Sequence, residues 1–451
     1  MVFPTQLKLD IAPSTIGRVR PRSLNGPVIE SVLGEILESD LGFQGQATSY
    51  ASHSIHAFAA KFPPQLPRTF IEKLTLEGEL VADPMAGSAT ALVEAASLKR
   101  KAVGVDIDPL AIKIAKAKTQ PIDCDEAFVY AEAIADYARS ALSAPALFDL
   151  PAFYETYSES ARKFFQYWFA ETTIWELCAL LKGIRSVSSL KLRNLFDIIF
   201  SSIIVTKSGG VSLARDLAHS RPHVDSSKKV GNAIDAFEEK ASKSIKALSE
   251  LRSDWVERQV LLADCRQLPL IADSVDLIVT SPPYANAIDY VRAHKFSLIW
   301  LGYSPESLTE NRRKYIGAEK GHDGRDFGST IAESTINEIE ATDKRRAGVV
   351  AQYFKDMRDG LKEMLRVLKP GKAAIIVVGS STIRGVKVRT PFALAEIAEN
   401  LGFKVVGVQE RKLDRDKRLM PVSRDGNGKG IEARMHEEHV IGLVKPYANP
   451  S

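Results

Sequence analysis

The sequence predicts an open, mostly parallel α/β sheet of the Rossmann-like, nucleotide-binding kind, interrupted by a largely helical insertion. Three observations carry this reading. A short apolar segment ending in Asp83-Pro84 is followed by a glycine-containing turn, a helical stretch and a second apolar segment ending in Asp106. That is the strand, turn, helix and strand of a βαβ unit. From Thr119 to Val256 the pattern is mostly helical, with aromatics concentrated early (Phe153, Tyr154, Tyr157, Phe164, Phe165, Tyr167, Trp168) and basic residues later. Strand patterns then resume, and strands alternating with helices place ligands at the carboxyl ends of a parallel sheet.

Taken in order, residues 1–50 read as a variable lead-in punctuated by Pro and Gly. Glu79-Leu80-Val81-Ala82 reads as a buried strand, Thr90 to Lys99 as a helix, and Ala102 to Val105 as the second strand. Residues 120–255 form the helical insertion, and residues 51–119 with 256–451 form the sheet domain. Within the latter, Val260-Leu261-Leu262 and Val275 to Val279 are strands. Tyr353 to Leu368 is a helix, and Lys369-Pro370-Gly371 turns into the apolar strand Ala373 to Val378. Lys404 to Val408 and His439 to Val444 are expected to close the sheet as an antiparallel pair.

At 451 residues and 45% hydrophobic content the chain can bury a large core in two or three structural units. Met1 to Asp10 lacks the basic-then-apolar pattern of a secretory signal, and no run approaches the roughly 18 apolar residues of a membrane span. A cytoplasmic location is expected. Cys124, Cys178 and Cys265 are scattered without paired spacing, so neither a zinc site nor a disulfide framework is indicated, and no metal is expected. The net charge of +4 is small but uneven: Lys182 to Val230 holds nine Lys/Arg against three Asp, and Arg411 to Arg424 holds six against two. Either stretch suits phosphates; the alternative is an ordinary solvated face.

Asp83-Pro84-Met85-Ala86-Gly87-Ser88-Ala89-Thr90 leaves a strand and opens a helix, where glycine permits close backbone approach and free amides face a polar ligand. Asp106, at the end of the next strand, is placed to accept hydrogen bonds from ribose hydroxyls. Thr280-Ser281-Pro282-Pro283-Tyr284 follows a buried strand. Its two prolines stiffen the backbone and remove two amide donors, leaving carbonyls to accept protons from a ligand beside an aromatic ring. The alternative is a proline-terminated strand with Tyr284 packed in the core. An aromatic amine such as the N4 group of cytosine is a poor nucleophile, because its lone pair is delocalised into the ring. The Ser281 hydroxyl and the carbonyl of Ser281 or Pro282 are positioned to accept its two hydrogens, with Tyr284 stacked on a base extruded from the duplex.

Together, Asp83 to Thr90, Asp106 and Thr280 to Tyr284 resemble the bacterial amino-methyltransferases that act on DNA bases at N4 of cytosine or N6 of adenine. The resemblance implies a Rossmann-like class I methyltransferase sheet and S-adenosylmethionine as cofactor. Cofactor contacts then fall to Phe62, Pro63, Asp83, Pro84, Ala86, Gly87, Ser88, Thr90, Asp106, Ile107, Asp264, Cys265 and Thr280, with Asp264 at the family position that meets the adenine. His56 to Pro67 looks like the segment that covers the methionine end. Ser281, Pro282, Pro283 and Tyr284 take the catalytic role. Serine at the head of that loop, with threonine before it, is similar to the N4-cytosine branch. The cofactor loop departs from the commoner Cys-Gly-Ser-Gly-Thr form, with Ala86 and Ala89 in place of Cys and the second Gly.

Asn286, Asp289, Tyr290, Arg292 and His294 are expected to begin a helix lining the base pocket, with His294 either a structural or a catalytic histidine. Lys207, Arg215, His219 and Arg221, in the glycine-containing stretch Val205 to Arg221, are expected to contact nucleic acid, in preference to Tyr303 to Arg346. The expected partner is double-stranded DNA, which implies association with the nucleoid and leaves room for a cognate restriction endonuclease. Methylation of adenine in DNA or of an RNA base is the neighbouring reading. A nucleic-acid-binding protein with a decayed site is the reading from another class.

Overall fold

Val275–Thr280 is buried at every position, as befits a central parallel strand covered on both faces. Its charged member, Asp276, accepts from the Leu80 amide and from the Lys369 ammonium at 2.7 Å. This computed structural model describes residues 26–58, 61–206, 210–215, 222–251, 257–285, 290–317, 324, 326–412 and 437–447. The main-sheet strands are β1 (Leu80–Asp83), β2 (Lys101–Asp106), β3 (Arg258–Leu262), β4 (Val275–Thr280), β5 (Leu368–Gly379), β6 (Lys404–Lys412) and β7 (Glu437–Val444). They lie in the order β6-β7-β5-β4-β1-β2-β3. From β3 to β5 the pairing is parallel, and β7 runs antiparallel to both β5 and β6. The strand order reverses between β1 and β4, so their carboxyl ends are neighbours at the switch point where open α/β sheets bind ligands.

Ahead of the insertion lie α1 (Pro27–Glu38), α2 (Gln65–Leu74), α3 (Thr90–Ser97) and α4 (Pro109–Thr119). The insertion supplies α5 (Cys124–Ser143), α6 (Leu150–Glu155), α7 (Glu159–Trp168), α8 (Glu171–Ser186), α9 (Leu190–Ile204) and α10 (Ala233–Ser249). After β4 come α11 (Tyr290–Leu298), α12 (Pro305–Arg312), α13 (Thr330–Glu340), α14 (Lys344–Val367) and α15 (Thr390–Leu401). Their starts follow local chemistry: Asp108, Asp123, Ser189 and Asn232 each accept first-turn amides at the N-caps of α4, α5, α9 and α10. Among the described residues, no helix is long and apolar enough to cross a membrane.

The period-2 alternation of the strands sorts the core. Ala373, Ile375 and Val377 of β5 join the face covered by α1, α2 and α3, whereas Ala374, Ile376 and Val378 join the face covered by α13, α14 and α15. The insertion helices build a third core that includes Leu110 and Ile114 of α4, Phe296 of α11 and Trp300 just beyond it. There Trp300 stacks on Phe165 at 3.7 Å between centroids. Three features differ from the sequence reading. Helix α1 falls inside the lead-in, where Ile29, Leu33, Ile36 and Leu37 are buried at helical spacing. Helix α14 begins at Lys344, well before Tyr353, because Asp343 caps it. The Lys-Pro-Gly turn lies inside β5 as a bulge, with Leu368 opposite Val275 and Ala373 already opposite Leu277.

Candidate active site

The loop from Pro84 to Ala89 connects β1 to α3, and the loop from Ser281 leaves the neighbouring strand β4. One hydrogen bond joins their bases: the Thr280 hydroxyl donates to Asp83 Oδ1 at 2.7 Å. Both residues are buried, and burial pushes the Asp83 carboxyl up to about 7, with the Thr280 bond opposing the rise. Thr280, expected among the ligand contacts, is fully buried and turned to this interior link.

The β1–α3 loop is drawn against β2. The Ala86 amide donates to the Val105 carbonyl at 2.9 Å, and the Gly87 amide donates to Asp106 Oδ2 at 2.8 Å. Asp106 Oδ1 accepts from the Asp108 amide, also at 2.8 Å. Burial, reinforced by the nearby charge of Asp108, pushes the Asp106 carboxyl up to about 6. Gly87 has φ +47° with the Phe58 ring close above it, so an added Cβ would approach Phe58 to 3.1 Å. Ala89 adopts φ 61°, a left-handed conformation unusual for a residue with a side chain, and it caps α3. Ser88 and Thr90 are buried with their hydroxyls 2.8 Å apart, and the buried Lys118 ammonium donates to the Ser88 carbonyl at 3.0 Å. Pro84 and Ala86 are buried and Ile107 half-buried.

This cradle fits the nucleoside part of the expected cofactor. The half-buried Asp106 carboxylate sits at a strand end with its orientation set by two backbone amides, and each carboxylate oxygen keeps lone-pair capacity for a ribose hydroxyl. Glycine at 87 keeps the loop close to the sheet.

The other expected contacts divide. Asp264 is gripped by Arg266, whose Nε donates to Oδ1 at 2.9 Å and whose Nη1 continues to Asp356 at 2.6 Å. The Cys265 side chain packs into the core with Sγ 3.7 Å from where a Gly360 Cβ would sit. Only its main chain can face a ligand. Phe62 is likewise buried in the α1–α3 core, and Pro63 is half-buried with its carbonyl accepting the Leu66 amide.

In the proline loop Ser281 and Pro283 are half-buried and Pro282 is buried. Tyr284 is 7% exposed, and its hydroxyl donates to Glu438 Oε1 at 2.7 Å; Glu438 Oε2 accepts from Arg411 Nη1 at 2.9 Å. The core-packed alternative and the loop reading therefore both describe this tyrosine. Arg411, the first residue of the basic stretch from 411, is in a buried ion pair with Glu438. Residues 413–424 lie outside the described residues.

His294 on α11 places Nδ1 2.6 Å from Asp108 Oδ2. Burial alone would raise the Asp108 carboxyl, but His294 and the first-turn amides of α4 hold it below its ordinary value. The Phe58 and His294 rings lie 5.4 Å apart. His56, fully buried, bridges to Ser201 of α9 at 2.8 Å, and Ser201 donates to Ser297 of α11 at 2.8 Å. Burial pushes His56 down to about 3, so the ring is neutral. On α3, the buried Glu94 meets His53 Nε2 at 2.7 Å and accepts from Tyr50 and Arg68.

Of the expected nucleic-acid contacts, Arg215 lies on a short ribbon in which Ala214–Arg215 pairs with His223–Val224, and its Nε donates to Asp225 at 2.8 Å. Lys207, His219 and Arg221 lie outside the described residues, as do Asn286 and Asp289. Sequence reasoning missed Lys118, Glu438 and the Asp108 partnership. Asp108-Pro109 at a helix start was a readable cap signal, whereas Lys118 and Glu438 carry none.

A family model described as "DNA methylase" matches residues 34–117. The chain is 25% identical to the Type II methyltransferase M.MvaI of Kocuria varians, an alignment covering 91% of this chain and 94% of that one. It is 23% identical to the Type II methyltransferase M.BsoBI of Geobacillus stearothermophilus over 85% and 86% of the two chains. Among solved structures, a SAM-dependent methyltransferase of Methanosarcina mazei aligns with a TM-score of 0.30 at 12% identity, covering 84% of this chain and 98% of that one.

Proposed function

Because the chain belongs to the DNA amino-methyltransferase family, we propose that it methylates the exocyclic N4 amino group of cytosine within a specific sequence of double-stranded DNA. S-adenosylmethionine is the cofactor, and when bound it supplies a methyl group activated on a sulfonium. The observation that carries the reading is the adjacency of two loops at the switch point: the Gly87 loop with Asp106, and Ser281-Pro282-Pro283-Tyr284, tied by the Thr280–Asp83 bond.

The residues then divide the work. Asp106 receives the ribose hydroxyls, and Gly87 and Ala86 admit the cofactor backbone close to the sheet. The Ser281 hydroxyl and the carbonyls of Ser281 or Pro282 accept the two amino hydrogens. This localises the nitrogen lone pair out of conjugation, and the one amino proton that must be lost on methylation leaves through the loop oxygen that accepts it to solvent. The Tyr284 ring packs on the extruded base. Transfer to an amine needs alignment more than acid–base power, so no histidine or cysteine is required. Serine at 281 preceded by threonine at 280 supports cytosine over adenine. Arg215, with Lys207, His219 and Arg221, is proposed to hold DNA phosphates, and the helical unit 120–255 is the proposed recognition domain.

The test is to incubate the chain with labelled S-adenosylmethionine and, separately, unmethylated genomic DNA and total RNA, then digest to nucleosides and identify the product by mass spectrometry. N4-methylcytosine in DNA is expected. N6-methyladenine, or label only in RNA, would overturn the substrate assignment.

A further inference from the structure

The two prolines of the catalytic loop restrict its backbone but leave the Tyr284 side chain its χ1 and χ2 freedom. Core packing around the ring limits that freedom, and a contact at its hydroxyl end would fix what remains. The structure supplies it from the far end of the chain. Glu438 lies opposite Gly379, the last residue of β5, and opposite Arg411 on β6, so it sits on β7 three positions beyond the level of Thr280, the end of β4 from which the proline loop departs, on the side toward which that loop runs. One of its oxygens accepts the Tyr284 hydroxyl at 2.7 Å and the other accepts Arg411 at 2.9 Å. All three residues are 7% exposed or less. An ionised carboxylate can only accept, so the direction of the Tyr284 bond is set, and a charge-assisted bond is about twice as strong as a neutral one. Buried ion pairs add little net stability compared with apolar packing. A pair placed at the hydroxyl of the catalytic-loop tyrosine is better explained by what it orients.

We propose that Glu438, held by Arg411, is a positioning residue that fixes the Tyr284 ring from its hydroxyl end, so that the β6–β7 hairpin sets the angle at which the ring meets the target base. This rests on the base-methylation reading above. In the free enzyme the ring is already oriented, and the ordering cost of stacking on an extruded base is met before DNA arrives.

The test uses the full chain with labelled S-adenosylmethionine and unmethylated genomic DNA under single-turnover conditions, alongside S-adenosylhomocysteine binding and thermal melts. Tyr284→Phe removes only the hydroxyl and leaves the Glu438–Arg411 pair intact. It is expected to slow methyl transfer about 10- to 100-fold, the size of a lost bond to a charged group, with S-adenosylhomocysteine affinity within about twofold. Glu438→Gln keeps an acceptor oxygen and should fall between wild type and Glu438→Ala. The double variant Tyr284→Phe/Glu438→Gln should be no slower than Tyr284→Phe alone, because the two act through one contact. A merely structural Glu438 would lower melting temperature and cofactor affinity together and add to Tyr284→Phe. Wild-type transfer rates in Tyr284→Phe, or additive losses in the double variant, overturn the proposal. Should the wild-type chain label no DNA base at all, it is the function reading that falls, before any variant is compared.

Discussion

Replacing Asp106 with asparagine separates the two roles of that carboxylate. In its proposed role as acceptor for two ribose hydroxyls it would contribute bonds of about 1.5–3 kcal/mol each, and an amide oxygen would restore only one neutral bond, so a loss of about 2–4 kcal/mol of cofactor binding, roughly 30- to 1,000-fold, is expected. Stability responds differently. Oδ1 and Oδ2 each accept a backbone amide at 2.8 Å, from Asp108 and Gly87. Asparagine offers one oxygen, leaving one amide unsatisfied at about 1–3 kcal/mol. Against this, wild type carries an ionisation penalty. Its carboxyl is raised from 3.8 to about 6, which corresponds to about 3 kcal/mol at pH 8. A raised carboxyl favours the protonated folded state. Its contribution is therefore fully present below about pH 4 and lost as pH rises through about 6. The variant lacks that loss. It should melt below wild type at pH 5 and close to it at pH 8, while wild-type affinity for S-adenosylhomocysteine weakens as pH falls through 6. Calorimetric titration at pH 7.5 and melts at the two pH values measure both effects. An asparagine variant binding S-adenosylhomocysteine within threefold of wild type would remove Asp106 from the ribose site.

Three further outcomes follow from the same geometry. Gly104→Ala would place a Cβ 2.6 Å from Leu92 Cδ2 and 3.1 Å from Ala86 Cβ, forcing α3 and the cofactor loop outward at about 1–3 kcal/mol; a lower melting temperature and weaker S-adenosylhomocysteine binding should appear together. Thr280→Val keeps the shape but strips Asp83 of a bond that lowers its carboxyl. Because Asp83 is already raised to about 7, its stability contribution declines as pH rises through that value. The variant should accordingly lose about 1–3 kcal/mol at pH 8 and less at pH 5, measured by denaturant unfolding at both. Ser281→Ala should abolish most methyl transfer while S-adenosylhomocysteine binding stays unchanged, and full activity in that variant would remove the hydroxyl from the mechanism.

What the chain alone determined is what local chemistry determines. The β1-loop-α3-β2 unit, the acid ending β2, the proline loop ending β4 and the closing antiparallel pair are all encoded in contiguous residues, through strand period, glycine and proline conformations and helix caps. The helical character of 120–255 is equally local. Even α1 had its apolar spacing in view at Ile29, Leu33, Ile36 and Leu37, hidden only by the surrounding Pro and Gly. Tertiary structure alone decided which side chains within those motifs face the site. Cys265 and Phe62 sit in matching motif positions yet point into the core, because the period of a strand end or loop depends on what packs beneath it. The anchors came from distance. Glu438 reaches Tyr284 across 154 positions, Thr280 reaches Asp83 across 197 and His294 reaches Asp108 across 186. Such pairings are set by strand order and register, which close only when the whole sheet assembles, and no window of sequence contains both partners.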